Sequence, residues 1–193
     1  MKLFFPTIKR IMEDSIKSRV SAIPKDRRLI SMFLDHAIMI GIIVPLMIIL
    51  ALIGTEYPNM MSNEFGIFIF YSFVFLYLNK DFVGGKSLAK RIMGFQVIDR
   101  KTGENASELQ CFVRNLTICV VWPIEVIICL IYPQRRIGDF LANTQIVKNE
   151  KLGAKSIFKD LKRLKLRWTY ILIVLMAFVY FYLLDQTMSE DSF

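Results

Sequence analysis

Histidine is nearly absent from this chain, with one residue in 193, and its three cysteines contain no CxxC pair. Most acid–base schemes and most transition-metal sites use histidine or clustered cysteine, so the sequence offers neither a nucleophile–base set nor a metal-ligand spacing. An odd number of cysteines also argues against a disulfide framework. We therefore expect no enzyme activity, no metal site and no cofactor.

Charge is scarce over long stretches, while apolar residues make up 54% of the chain and the mean hydropathy is +0.45. The net charge of +8 is concentrated in lysine and arginine clusters that flank the apolar runs. Such clusters are typical of membrane topology signals, and no basic stretch with interleaved aromatic residues indicates nucleic-acid binding. The predicted partners are the lipid bilayer and anionic lipid headgroups, and nucleic acid is not among them.

The longest apolar run, Leu29 to Ile53, predicts a first transmembrane helix that contains a carboxylate. About 20 apolar residues are enough to cross a bilayer core of roughly 30 Å. Asp35 lies inside this run, where an unpaired carboxylate costs on the order of 3 kcal/mol. We therefore expect another side chain, or water, to satisfy Asp35.

Two further apolar runs, Phe65 to Leu78 and Trp168 to Leu184, predict two more full spans. The loop at 54–64 contains no lysine or arginine, so it is predicted to face outside. The N-terminus is then cytoplasmic and the C-terminus is outside. The expected location is the cell (inner) membrane, in which the chain is a multi-pass protein.

The apolar run from Cys111 to Tyr132 raises a topological conflict, because a full crossing would place the ten basic residues of 133–167 outside. A re-entrant helical hairpin that turns at Trp122-Pro123 would keep both of its ends in the cytoplasm. The same topology would let two strand-like runs, Phe95–Asp99 and Thr144–Lys148, pair on the cytoplasmic side.

Basic amphipathic patterns flank this membrane region, one between Lys2 and Val20 and one from Lys151 to Arg167. Each predicts a helix on the membrane surface, and the first would fit equally well as a helix docked on the protein itself. The chain then divides into an amphipathic helix at 1–26, a membrane domain at 27–149, and a basic helix with the last span at 150–193. The predicted class is an all-α membrane protein with three transmembrane helices, a re-entrant helical hairpin and a small β pairing.

The polar residues of the membrane region recur in an order that resembles the RDD family of membrane proteins, named for an arginine and two aspartates. Arg28 and Asp35 look like its arginine and first aspartate, and Arg114 matches the arginine that opens the third apolar segment. The segment at 135–144, Arg-Arg-Ile-Gly-Asp-Phe-Leu-Ala-Asn-Thr, is close to the family's Arg-x-x-x-Asp-x-x-Ala-Gly-Thr ending and places the second aspartate at Asp139. The resemblance covers residues 27 to about 149.

The glycine- and lysine-containing run at 85–99 is also similar to the family pattern, and two positions depart from it. Ala89 stands at a position that is usually glycine, and Asn143 replaces the glycine before Thr144. Asparagine tolerates left-handed backbone, so a turn can persist at Asn143. The basic pair Lys90 and Arg91 either lies at lipid headgroups or pairs with a carboxylate.

The resemblance implies transport, since some RDD proteins are linked to exchange of sodium, lithium or potassium for protons. Intramembrane carboxylates near a broken helix are suited to bind a small cation or a proton, which makes Asp35 and Glu125 the candidate site. Glu125 has no evident arginine partner in the sequence, so it is the stronger transport candidate.

The structural alternative assigns the same charges to ion pairs. In this interpretation Arg28 or Arg114 neutralises Asp35 and pins the hairpin to the first span. Arg135, Arg136 and Asp139 likewise fix the cytoplasmic strand pair. The chain is then a non-catalytic accessory or scaffold protein of another membrane complex. Three spans enclose little interior, so both functions predict a homo-oligomer or a membrane protein partner.

Overall fold

The structure is a computed structural model, and it describes residues 14, 16, 18, 23–57, 62–162, 164 and 167–190. The predicted N-terminal amphipathic helix, Lys2 to Val20, therefore lies outside the described residues except at 14, 16 and 18, which are helical.

From residue 23 onward, the described part of the chain is mostly helical. Its elements follow in this order: α1 Lys25–Glu56, α2 Asn63–Leu78, α3 Leu88–Met93, β1 Phe95–Asp99, α4 Glu108–Leu116, α5 Ile118–Ile131, α6 Ile137–Leu141, β2 Thr144–Lys148, α7 Ser156–Leu161 and α8 Trp168–Glu190. This order confirms a mostly helical protein with one small sheet.

Two of the described helices, α1 and α8, are long and apolar enough to cross a membrane, and the bent pair α4 and α5 makes a third candidate if it counts as one broken span. α2, which we predicted to be a full span, has only 16 residues. At 1.5 Å per residue it is about 24 Å long, against a hydrocarbon core of roughly 30 Å. Length and composition therefore give two or three spans; α2 covers the whole predicted run, Phe65 to Leu78, and its crossing of the membrane stays a prediction.

The axes of α4 and α5 meet at 86° around Thr117. A sharp bend within the third apolar segment agrees with the sequence analysis. The non-helical backbone angles lie at Val121, directly before the predicted turn at Trp122-Pro123, whereas Thr117 has helical angles. The Thr117 hydroxyl bonds to the Arg114 carbonyl and to Glu125, which ties the two sides of the bend together.

The two predicted strands pair antiparallel, with Phe95 opposite Lys148 and Asp99 opposite Thr144. Asn143, directly before β2, has φ of 52° and so adopts the left-handed backbone expected at the family's glycine position. The sheet packs in a small buried cluster composed of Ile23, Phe95, Val97, Ala106, Cys111 and Ile146. The strand pairing and the turn at Asn143 are thereby confirmed.

The predicted basic helix from Lys151 to Arg167 is much shorter in the structure. α7 has six residues, and residues 162, 164 and 167 are not helical. Asp160 on α7 lies 2.7 Å from Arg91 Nη1 on α3, so one ion pair ties α7 to the fold. Phe158 and Leu161 remain exposed at 65% and 52%, as expected for apolar side chains that face lipid.

Candidate functional site

Four carboxylates and four basic side chains are buried together where α1, the α2–α3 loop, α3, α4, α5 and α6 meet. Each is at most 4% exposed, and their formal charges cancel. Burying a single unpaired charge costs several kcal/mol, so these groups depend on one another. We call them the charge network; its members are Arg28, Asp35, Asp81, Lys90, Arg114, Glu125, Arg136 and Asp139.

Lys90 lies at one end of the charge network, inside a ring of oxygen atoms. Its Nζ lies 2.6 Å from Asp35 Oδ2, 2.7 Å from Asp81 Oδ1 and 3.3 Å from Ser87 Oγ. The three oxygens come from α1, the α2–α3 loop and the N-cap of α3. We call this arrangement the Lys90 cage; it consists of Lys90, Asp35, Asp81 and Ser87.

Local sequence features place α3 at the cage. Ser87 caps α3 by accepting a hydrogen bond from the Lys90 amide at 3.2 Å, and the Ser87 amide donates to Asp81 at 3.1 Å. Gly85 has φ of +69°, and a Cβ there would lie 2.5 Å from the Val97 carbonyl oxygen. Glycine at this position therefore allows the loop to pack directly on β1 and fixes the start of α3.

Arg114 joins the two halves of the charge network. Its Nη1 donates to Asp81 at 2.7 Å and its Nε to Asp139 at 2.8 Å. Burial opposes ionisation of both aspartates, but the neighbouring cations outweigh it. The charges of Lys90 and Arg114 hold the pKa of Asp81 well below its usual range, and those of Arg114 and Arg136 do the same for the pKa of Asp139. Both aspartates therefore stay ionised at physiological pH.

Glu125 is also held by a cation, so the prediction that it lacks an arginine partner is wrong. Its Oε2 lies 3.1 Å from Arg136 Nη1, while its Oε1 accepts hydrogen bonds from the Thr117 hydroxyl and, at 3.0 Å, from the Gly138 amide. Arg136 follows the end of α5, where the chain folds back along the helix. The residue pattern of α5 alone could not predict this contact, because Arg136 lies beyond the end of the helix.

Gly138 allows α6 to approach α4 closely enough for these bonds. A Cβ at this position would lie 1.8 Å from the Arg114 carbonyl oxygen. No side chain fits in that space, so glycine is required for the Glu125 contact and for the position of Asp139 on the same short helix.

The expected pairing of an arginine with Asp35 is also wrong. Arg28 Nε donates to the Pro133 carbonyl at 3.2 Å, and Arg114 pairs with the other two aspartates. Arg28 and Asp35 are two turns apart, about 10.5 Å along the axis, so they cannot share an ion pair without a large bend. Arg28 instead holds the segment after α5 against α1.

The structure thus brings together all five residues of the predicted network and Glu125, but with partners that differ from those expected. Sequence reasoning missed Asp81 and Ser87 as participants. For Lys90 and Arg91 it left two roles open, and the carboxylate pairing is confirmed for both. Asp81 could have been found by its position, since it is the first acidic residue after the apolar run of α2.

Lys80 lies beside the cage but outside the ion pairs. Its Nζ donates to the Tyr77 hydroxyl at 3.3 Å and lies 4.3 Å from the centre of the Tyr77 ring. Burial lowers the pKa of Lys80 to about 7. A cavity of about 10 Å³, close to the volume that admits one water molecule, is lined by Lys80, Asp35 and Lys90 among others.

The two ends of the charge network differ chemically. Arginine stays protonated in proteins, whereas lysine can lose its proton when its surroundings favour the neutral amine. Asp35 has Lys90 as its basic partner and no arginine within ion-pair distance among the described residues. Within the same described part, no group of three or more His, Cys, Asp or Glu side chains could hold a metal ion. The Lys90 cage is therefore the part of the charge network whose central cation is a lysine.

Comparison with models of known protein families matches the RDD family over residues 24–188, which extends the resemblance at 27–149 through α7 and most of α8. No curated protein and no solved structure matches the chain.

Proposed function

The chain belongs to the RDD family, and on that premise we propose that it is a non-enzymatic, multi-pass protein of the cell membrane that exchanges small monovalent cations for protons at the Lys90 cage. Its apolar helices, two of which can cross a bilayer, support the membrane location. The proposed orientation has a cytoplasmic N-terminus and an outside C-terminus, because the loop at 54–64 contains no basic residue.

The observation that carries the proposal is the ammonium of Lys90 held among three oxygens. Carboxylate and hydroxyl oxygens are also the ligands that hard metal cations prefer. A cation such as Na⁺ or Li⁺ can take this place when Lys90 releases a proton. One positive charge then replaces another, so the buried network stays neutral throughout the exchange.

The same reasoning moves the candidate site from Glu125 to Asp35. Glu125 faces Arg136, and Asp139 faces Arg114, so neither carboxylate gains a free oxygen by the loss of a proton from its partner. Asp35 loses its counter-ion as soon as Lys90 is neutral. In this scheme the arginine half of the network holds the helices in place.

A second candidate function is that of an accessory protein, and the surface of α1 favours it. The most apolar 18-residue window of α1 is entirely unburied, and its outer half exposes Ile48 and Leu52 at 54% and 61%. A second copy or another membrane protein could pack on this helix. The charge network would then be structural throughout.

Flux measurements on purified protein in liposomes distinguish these functions. In liposomes that contain the wild type, we expect Na⁺ or Li⁺ added outside to dissipate an imposed pH gradient. In liposomes that contain Asp35→Asn, we expect the added cation to leave the pH gradient unchanged. Glu125→Gln is the matched control, because it also removes one buried negative charge without a change of shape. Size-exclusion profiles establish that each variant is folded.

Each pattern of flux has a distinct meaning. Activity in Glu125→Gln but not in Asp35→Asn supports the Lys90 cage. The reverse pattern places the site at Glu125. A folded wild type without flux above empty liposomes rejects exchange and favours the accessory function.

A further inference from the structure

An apolar groove of about 480 Å³ lies between α1, α2 and α8. Its walls are the aliphatic and aromatic side chains Ile38, Met39, Ile42, Phe75, Leu76, Ile173 and Val174. The groove is open to the outside and covers about two turns of α1 and about one turn each of α2 and α8, and its polar residues are gathered at one end. Those polar residues are Asp35, Asn79, Lys80 and Ser87.

The polar end of the groove contains a lysine that pairs with no carboxylate among the described residues. Asp35 and Lys90 cancel each other at 2.6 Å, so the aspartate adds no net negative charge. Lys80 is different: among the described residues its ammonium contacts Tyr77 and forms no ion pair with a carboxylate. An anion at this end would supply the missing counter-ion and stabilise the protonated form of Lys80.

A second basic element lies beside the same end. Ile157 of α7 lines the groove, and the neighbouring Lys155 and Lys159 are exposed. Lysines next to a membrane surface attract anionic headgroups. The cation at the groove end and those on α7 therefore act on the same region.

We propose that the groove binds one anionic phospholipid, with an acyl chain along the apolar walls and the phosphate at Lys80. The apolar lining on α1 and α8 covers about 10 Å along α1, which holds the part of one acyl chain that lies next to the headgroup. The headgroup chemistry follows from charge: a zwitterionic choline headgroup would bring an additional cation next to Lys80 and α7, whereas a glycerol headgroup leaves the phosphate charge unopposed. The proposal does not rest on the exchange function, although the polar end of the groove shares Asp35 and Ser87 with the Lys90 cage.

Native mass spectrometry of the detergent-purified full chain tests the proposal, with phosphatidylglycerol and phosphatidylcholine of identical acyl chains as probes. We expect one phosphatidylglycerol per chain, bound about five-fold more tightly than phosphatidylcholine, as expected for one lysine near the headgroup. Lys80→Gln should remove this preference. Its matched control, Lys101→Gln, changes an exposed lysine on the turn after β1 and should keep it.

Filling the groove tests the acyl chain separately. Leu76→Trp should weaken binding of both lipids at least ten-fold, while Ile48→Trp, on the exposed surface of α1, should not. Size-exclusion profiles identify any variant that fails to fold, and Val174→Trp is the second groove variant. Equal affinity of the wild type for the two lipids would overturn the proposal, and so would unchanged binding in a folded groove variant. A protein dimer that the groove substitution abolishes would overturn it in favour of a second copy.

Discussion

Replacement of Lys90 by methionine should destabilise the protein in a way that a small cation reverses. The substitution removes the ammonium that lies 2.6 Å from Asp35 and 2.7 Å from Asp81. Asp81 keeps Arg114 at 2.7 Å, but Asp35 loses its basic partner. Removal of one member of a buried ion pair costs about 3–5 kcal/mol, which lowers the unfolding midpoint of a chain of this size by roughly 10 °C.

A cation that occupies the vacant cage should recover part of this loss. At a concentration 100 times its Kd, a ligand that binds only the folded state adds about 2.7 kcal/mol. We therefore expect Na⁺ or Li⁺, but not choline, to raise the unfolding midpoint of Lys90→Met by several degrees. Thermal unfolding in detergent, followed by intrinsic fluorescence, measures this at constant ionic strength.

The double variant Lys90→Met/Asp35→Asn is the control, because it removes the unpaired carboxylate together with the lysine. Its midpoint should lie above that of Lys90→Met and should not respond to Na⁺. The reasoning is refuted if Lys90→Met unfolds at the wild-type midpoint, or if Na⁺ stabilises the wild type, the single variant and the double variant equally.

Three further predictions concern packing, pH and topology. Gly138→Ala should lower the unfolding midpoint by several degrees, since its Cβ would lie 1.8 Å from the Arg114 carbonyl oxygen, and an unchanged midpoint would contradict the close contact of α6 with α4. Burial lowers the pKa of Lys80 to about 7 from 10.5, so the unfolded chain binds more protons between these values and folding stability should rise with pH across that window. Lys80→Met should lack this rise in unfolding midpoint, and a variant that keeps it would exclude Lys80 as its source. Single cysteines at Ser62 and Ala154, both exposed, in a background without native cysteines should react with an impermeant reagent from opposite sides of the membrane, and reaction from one side would reject the proposed orientation.

The local sequence pattern was sufficient to predict helices and strands that depend mainly on neighbouring residues in the chain. The apolar run after Leu29 predicted α1, and alternation predicted the strands Phe95–Asp99 and Thr144–Lys148 with the boundaries that the structure has. The left-handed turn at Asn143 could be predicted because asparagine is one of the few residues other than glycine that adopt this backbone conformation. In each case the relevant neighbours lie within a few residues along the chain.

Contacts between elements that are far apart in the sequence could not be predicted from the local sequence pattern. Lys90 and Asp35 are 55 residues apart, and Glu125 meets Arg136 only because α5 ends and the chain folds back. The break at Val121 was predictable, since it stands directly before Trp122-Pro123 and proline is a strong local signal. The residue types of the network were thus predictable, and their partners depended on the fold.

The choice of lysine at position 90 separates a structural network from one that exchanges cations. If the network only holds helices together, an arginine at this position would keep the positive charge between Asp35 and Asp81 and should preserve function. If exchange requires release of a proton from the cage, Lys90→Arg should be folded and paired yet inactive, because guanidinium does not deprotonate in proteins. Flux in liposomes and the unfolding midpoint, measured on the same preparation, decide between them. A folded Lys90→Arg variant that exchanges Na⁺ for protons at the wild-type rate would show that the proton does not come from residue 90, and the titrating group would then have to be sought at Asp35 itself or at Lys80.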